Sequence, residues 1–368
     1  MLVEPSQLIP GCVLIRDVNG KSNRPIIPEN TVLTDEHIIV LQKYLVQTVA
    51  VASKLINGDK YIPKPIDQKK VIKQEQLKTK QASKQNQSFS DQFNEVVANY
   101  KTLFNQWQNG MPIDIPAVRK LIIPLLERIE NINIEAYTLH HDTTKSEYIY
   151  YHSVAVGILS AYLGKKLDYP KGEWLQIGLA GFLSDSGMAK IDPKIISKAS
   201  YLTDSEFAEI KKHPTYAYRL LEHLPAINPA VKLAVLQHHE RLDGSGYPLG
   251  LTQDKIHIYS RIIAIADTYY AMTSDRLYRE KKSAFQVIEE LQKEQYSRLD
   301  YQIVKVFIHH LINVAIGSQV VLSNGQIGKI IFVDSDHPTR PIIQLIDSDE
   351  LIVLKDMPDL YIEKVMKD

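Results

Sequence analysis

A single cysteine, Cys12, in 368 residues excludes an intrachain disulfide and any cysteine-rich zinc site. Cys12 is expected as a small buried hydrophobe in a protein of a reducing compartment. Excess charge of either sign is also missing: 43 lysines and arginines face 43 aspartates and glutamates. No net field therefore draws the chain to a nucleic-acid polymer. Apolar runs are short. "VAVGILSAYLG", residues 154–164, falls well below the ~20 residues that span a bilayer. "MLVEPSQLIPG" lacks the basic-then-apolar order of a signal peptide. The expectation is a soluble, cytoplasmic protein with no transmembrane segment.

What is present divides the chain into regions. Residues 1–55 read as short strands with turns at "PG" and "NG", a helix that Thr34 caps, and the strand-like "TVAVAS", giving a small α+β module. Residues 56–95 are rich in lysine and glutamine and poor in large apolar side chains, a linker or exposed helix whose lysines are a solvated face or an anion-attracting one. Apolar spacing of three and four begins near Phe89, as in "VRKLIIPLLERIENI" and "IIAIADTYYAM", and residues 96–314 are assigned to a helical domain. Residues 315–368 alternate, with Asn324-Gly325 as a hairpin turn, and predict a small β barrel or sandwich. The expected fold class is α+β and multidomain, an all-α core between two small modules.

Candidate chemistry lies in the helical region: His152, Asp185, His213, His238, His239 and Asp267. Taken singly, each is equally a hydrogen-bonded core residue, a cap or an ion-pair member. Together they sit on predicted helices or helix ends, as when facing helices build a metal centre inside a bundle. His238 and His239 diverge by about 100° on an α-helix, so both reach one cluster only where the helix stops. The glycine loop after them supplies that stop. Pro214 ends one helix or starts the next, which puts His213 at a junction.

"HHERLDGSGYPLGL" resembles the HHExxDGxGYP signature of the HD-GYP family of metal-dependent phosphohydrolases, and "ADTYYAMTSDRLYR" is similar to that family's following helix. The resemblance extends over roughly Tyr148 to Leu311. It implies hydrolysis of the bacterial second messenger cyclic di-GMP at a metal pair, to the linear dinucleotide or GMP. It further implies His152 and Asp267 as ligands of one metal, His213, His238 and His239 as ligands of the other, and Asp185 as the catalytic carboxylate bridging both. Gly244, Gly246, Tyr247, Pro248, Arg276 and Arg279 become substrate contacts. A guanidinium fork matches phosphate oxygens, although surface ion pairing is the other reading of the two arginines. The ligand types suit iron or manganese, and zinc as well.

The family's HDxGK reads here "SDSGM", so Ser184 stands for a ligand histidine and Met188 for a lysine. Tyr270 replaces an aspartate, and Tyr148 the glutamate of a third metal. A serine hydroxyl is too short and too weak a ligand to stand in for imidazole. The expectation is one strong site, from Asp185, His213, His238 and His239, and one weakened site, from His152, Asp185 and Asp267. His140 and His141, in "LHHDTT", are substitutes for the missing ligand or a polar loop. Two functions compete: a phosphodiesterase with a modified centre, or an inactive cyclic di-GMP sensor signalling through a protein partner. A dimerisation scaffold is a third, and a homodimer fits any of them.

Overall fold

Short alternating segments followed by a capped apolar run account for the N-terminal part of the chain. In the computed structural model, which describes residues 1–5, 7–19, 25–43, 46, 48–63, 88–130, 139, 145–275, 281–294, 297–313, 316–334 and 337–366, the chain divides into units Met1–Gln87 and Ser88–Asp368. In the first, β1 (Leu2–Val3) pairs antiparallel with β4 (Val49–Ala50), and β2 (Val18–Asn19) with β3 (Pro25–Ile27). Helix α1 (Asp35–Lys43) follows Thr34 and carries Asp35 and Glu36 in its first turn, where carboxylates suit the positive helix end. Leu14, Leu41 and Val51 are fully buried, and Cys12 lies beside them in the same core. Of the lysine-rich stretch, residues 64–87 lie outside the described residues.

The second unit begins with α2 (Phe89–Gln108) and α3 (Ile115–Glu127). The side chains of Ser88 and Asp114 cap them by accepting from Asp91 N and Ala117 N. There follow α4 (Tyr148–Lys166), α5 (Lys171–Leu183), a 3₁₀ turn (Ser184–Lys190), α6 (Pro193–Ile196), α7 (Asp204–Ile210), α8 (His213–Leu221), α9 (Pro229–Gln237), α10 (Ile258–Thr273), α11 (Ala284–Glu294) and α12 (Tyr301–Asn313). Helix α4 is buried on every side from His152 to Gly164, so it forms the axis of the core, with α5, α10 and α2 packed along it. A capping box opens α7: Thr203 Oγ1 accepts from Glu206 N, and Glu206 Oε2 accepts from Thr203 N at 2.7 Å. Pro214 sits in the first turn of α8, with His213 as the helix's first residue.

Strands β5 (Gln319–Leu322), β6 (Ile327–Phe332), β7 (Ile342–Leu345), β8 (Leu351–Val353) and β9 (Ile362–Val365) form one antiparallel sheet in the order β8-β7-β6-β5-β9. Asn324 and Gly325 connect β5 to β6, which pair Val321 with Ile327. Where alternation suggested a barrel or sandwich, the described residues give a single sheet with β8 and β9 at its edges. Its inner face, with Val320, Ile330 and Ile343, takes Phe285 of α11 into its core. Ser283 Oγ donates to Ile362 O at 2.9 Å, and Arg340 pairs with Glu289 at 3.2 Å, so the sheet is fastened to α11. Among the described residues no helix is long and apolar enough to cross a membrane.

Phe182 in α5 is fully buried and meets the Tyr100 ring edge-on at 4.8 Å. Phe182→Ala opens a cavity in the core that supports the turn carrying Asp185, and is expected to cost about 3–5 kcal/mol. Urea unfolding of the full chain checks this; a loss below about 1 kcal/mol would mean the site is not held by this packing.

Candidate metal centre

Three helices end around one point. Asp185 follows the end of α5, His213 lies two residues beyond Lys211, the C-cap of α7, and His238 is the C-cap of α9. Helix ends leave carbonyls without intrahelical partners and carry partial negative charge. Two of those carbonyls orient the site. Nδ1 of His213 donates to Ile210 O at 2.7 Å, and Nδ1 of His238 donates to Val235 O at 2.7 Å. A carbonyl has no proton to give, so each Nδ1 carries a proton and each ring turns its Nε2 inward as the atom able to bind a cation. The two Nε2 atoms lie 3.2 Å apart, and Asp185 Oδ1 lies 3.1 Å from that of His213 and 3.7 Å from that of His238.

His239 joins them because α9 stops at Gln237. The chain turns, and the His238 and His239 rings come to 4.1 Å between centroids, a juxtaposition that a continuing helix forbids. One ligand atom from each of Asp185, His213, His238 and His239 lies within 4.8 Å of the others. Three imidazoles and a carboxylate, with two ring nitrogens and a carboxylate oxygen in mutual contact, fit a divalent cation. They fit nothing else but a proton.

The other carboxylate oxygen faces the second pocket. Asp185 Oδ2 lies 3.2 Å from His152 Nε2, which also lies 2.9 Å from Asp267 Oδ1. Asp267 Oδ2 is 3.7 Å from His239 Nδ1, so the two pockets join through both aspartates. His152 Nδ1 meets the Tyr148 hydroxyl at 2.8 Å. Because both aspartates only accept, the metal-free arrangement places the proton on Nε2 and leaves Nδ1 to accept from Tyr148. Ser184 Oγ donates back to Gly181 O at 2.8 Å and takes no part. Tyr270 is buried with its ring 5.6 Å from that of His152, filling with an aromatic the side where the family pattern has a carboxylate.

Electrostatics follow from this crowding. Burial acts to raise the Asp185 carboxyl, but hydrogen bonds from His213 and His238 and the nearby His152 outweigh it and hold the group well below the usual carboxylate range. For Asp267, burial is likewise overcome by His239 and His152. Burial and the neighbouring His238 push His239 well below the ordinary imidazole value.

The glycine loop is clamped from beneath. Glu240 is buried, and its Oε1 accepts from Leu249 N at 2.7 Å while Oε2 accepts from Leu251 N at 2.9 Å. The sequence placed Glu240 inside the signature but gave it no role; a charged residue directly after paired histidines was the available signal. Tyr247 N donates to His239 O at 3.2 Å, and its ring stacks on His239 at 4.7 Å and 28°. Gly246 fits because a Cβ there would strike Arg241 N and Glu240 Cα, and Gly187 because a Cβ would strike His213 O. Gly244, at the bend of the loop, and Pro248 after Tyr247 are half-buried. Arg276, Arg279, His140 and His141 lie outside the described residues.

His239 fixes a sign for pH. Its folded value is depressed, so the unfolded chain takes up a proton that the folded, metal-free chain refuses, and stability falls as pH drops below about 6.5. Thermal unfolding of chelator-treated protein between about pH 7.5 and 5.5 is expected to show this decline, and His239→Asn to flatten it. An identical slope in the variant assigns the effect elsewhere.

Residues 132–303 match the family model described as an HD domain. The chain is 32% identical over 230 residues to a cyclic di-GMP phosphodiesterase of Pseudomonas aeruginosa, covering 62% of this chain and 55% of the relative. It is 31% identical over 195 residues to one of Borreliella burgdorferi, covering 53% and 51%. To a 3'3'-cGAMP-specific phosphodiesterase of Vibrio cholerae it is 35% identical over 167 residues, covering 45% and 38%. The chain thus spans about half the length, or less, of these curated relatives. A solved structure described as an HDG"Y"P protein from Bdellovibrio bacteriovorus superposes with a TM-score of 0.50 at 14% identity, over 83% of this chain and 97% of that one, and shares the fold. The paired histidines, the clamped glycine loop and these likenesses agree: residues 132–303 are an HD domain.

Proposed function

We propose that the chain is a metal-dependent phosphodiesterase that hydrolyses a cyclic dinucleotide, cyclic di-GMP first and 3'3'-cGAMP as the second candidate. The contact that carries this reading is the 3.2 Å approach of two imidazole Nε2 atoms beside a carboxylate oxygen. Asp185, His213, His238 and His239 would hold one ion firmly, and His152, Asp185 and Asp267 a second one weakly, iron or manganese before zinc. Such an ion lowers the pKa of water and draws charge from phosphodiester oxygens. The chain's own residues supply the rest. Asp185 stays ionised and spans both pockets, the Ile210 and Val235 carbonyls keep the two rings in the binding tautomer, and Glu240 holds the loop from Gly244 to Pro248 against the His239 ring. Arg276 and Arg279 remain the proposed partners for guanine or phosphate.

The sensor reading draws on one observation, Ser184 turned away to Gly181 O. A centre short of one ligand can keep the nucleotide without cleaving it. In either case the work belongs in the cytoplasm, with the sheet, the N-terminal unit or a second copy of the chain as the surface that passes the signal to a protein partner.

Chromatography of cyclic di-GMP incubated with manganese- or iron-loaded protein decides. Turnover is expected, with Asp185→Asn lowering kcat/KM by about 100-fold or more and also reducing bound metal. Ser184→His is expected to raise the metal count from near one toward two and to speed turnover. Wild-type protein that binds the nucleotide but leaves it intact favours the sensor.

A further inference from the structure

Basic side chains next to the cluster are nearly all committed. Lys190 Nζ donates to Trp107 O at 3.1 Å, Lys212 pairs with Glu209 at 2.6 Å, and Arg241 donates to the carbonyls of His238 and Glu240 at 3.3 and 3.0 Å. Lys211 is the exception. It is exposed at the C-cap of α7, two residues before His213, and among the described residues no carboxylate lies within ion-pair distance of it. Its ammonium rests instead on two aromatic faces, 4.7 Å from the centroid of Phe207 and 5.7 Å from that of Tyr247. Tyr247 is the ring that stacks on His239 of the cluster. One aromatic side chain therefore separates a cation without a counter-ion from the proposed metal centre.

Such a cation keeps its charge for a ligand, because an exposed ring attracts it only weakly and rings cannot neutralise it. The stem of Lys211 is nonetheless steered by Phe207 and Tyr247, so the charge is held at the mouth of the site rather than free in solvent. Resting on the phosphodiesterase reading above, a cyclic dinucleotide brings two phosphodiesters, and only one of them meets the cluster at a time. We propose that Lys211 binds the other phosphate, the one not being cleaved, and so selects two-phosphate rings over simple diesters. An ammonium serves there as a point charge that follows the phosphate through small movements, where a guanidinium would demand one fixed pairing.

The test uses the full chain loaded with manganese, comparing wild type, Lys211→Met and Lys211→Arg. For cyclic di-GMP, Lys211→Met is expected to raise KM about tenfold, the value of one charge-assisted contact, with kcat within about twofold. Lys211→Arg is expected to recover most of the loss, and the bound manganese to match wild type in both variants. Raising salt should weaken wild-type binding more than that of Lys211→Met. Wild-type KM in Lys211→Met overturns the assignment while leaving the phosphodiesterase reading in place. An equal loss on the one-phosphate probe bis(p-nitrophenyl) phosphate also overturns it, since Lys211 would then act at the reacting phosphate. Wild-type protein that neither binds nor cleaves the cyclic dinucleotide removes both readings together.

Discussion

Two imidazole nitrogens that face each other 3.2 Å apart, beside a carboxylate oxygen, form an arrangement that is stable only around a positive charge, a proton or a metal ion. Everything else in the helical unit can be understood as what holds them there. His213 and His238 are fixed by the same device used twice, a ring Nδ1 bonded to the carbonyl three residues earlier at the end of a helix. Those carbonyls have no intrahelical partner, so the bond satisfies them while choosing the tautomer. The negative ends of α5, α7 and α9 converge on the same point, and their partial charges favour a cation before any side chain is counted. Helix α4, buried all round, is the support against which these ends are placed.

The glycine loop depends on the same cluster. His239 can reach it only because α9 ends at Gln237, and the chain that leaves His239 must turn sharply. Gly246 permits the close pass over Glu240, and the buried carboxylate of Glu240 binds two loop amides. A buried carboxylate without partners is costly, so the loop and Glu240 stabilise each other. Tyr247 then lies flat on His239, which couples the position of the loop to the position of a ligand.

Much of this was legible in the sequence, and the boundary is physical. Adjacent histidines before glycines required a helix end, and Pro214 required a junction at His213; both are local chemistry. The gathering of Asp185 and Asp267 around His152 was implied by family resemblance and not by spacing, because those residues are far apart in the chain and only packing brings them within 3.2 Å. The tautomers, the clamp by Glu240 and the turn of Ser184 toward Gly181 O depend on where particular carbonyls and amides lie, which residue pattern does not encode. Strand alternation revealed the C-terminal β segments. It could not reveal whether their edges join, since alternation is the same in an open sheet and a closed one.

The shared aspartate ties the two pockets together in sign as well as in space. A dication beside Asp185 Oδ1 would draw charge from Oδ2, the oxygen that faces His152. A second dication in the His152 pocket would then meet repulsion across a few ångströms of low-dielectric interior. In a pocket with a full set of ligands, the extra donor offsets that repulsion. Ser184 offers none, and Tyr270 and Tyr148 line the space with rings and a hydroxyl already engaged with His152. Without a metal there, His152 Nε2–H instead donates to the two carboxylates, through contacts of 2.9 and 3.2 Å that are already made. Ser184 in place of an imidazole would thus do more than remove a ligand: it would leave the Nε2–H of His152 to compete with a second metal for the same two carboxylates.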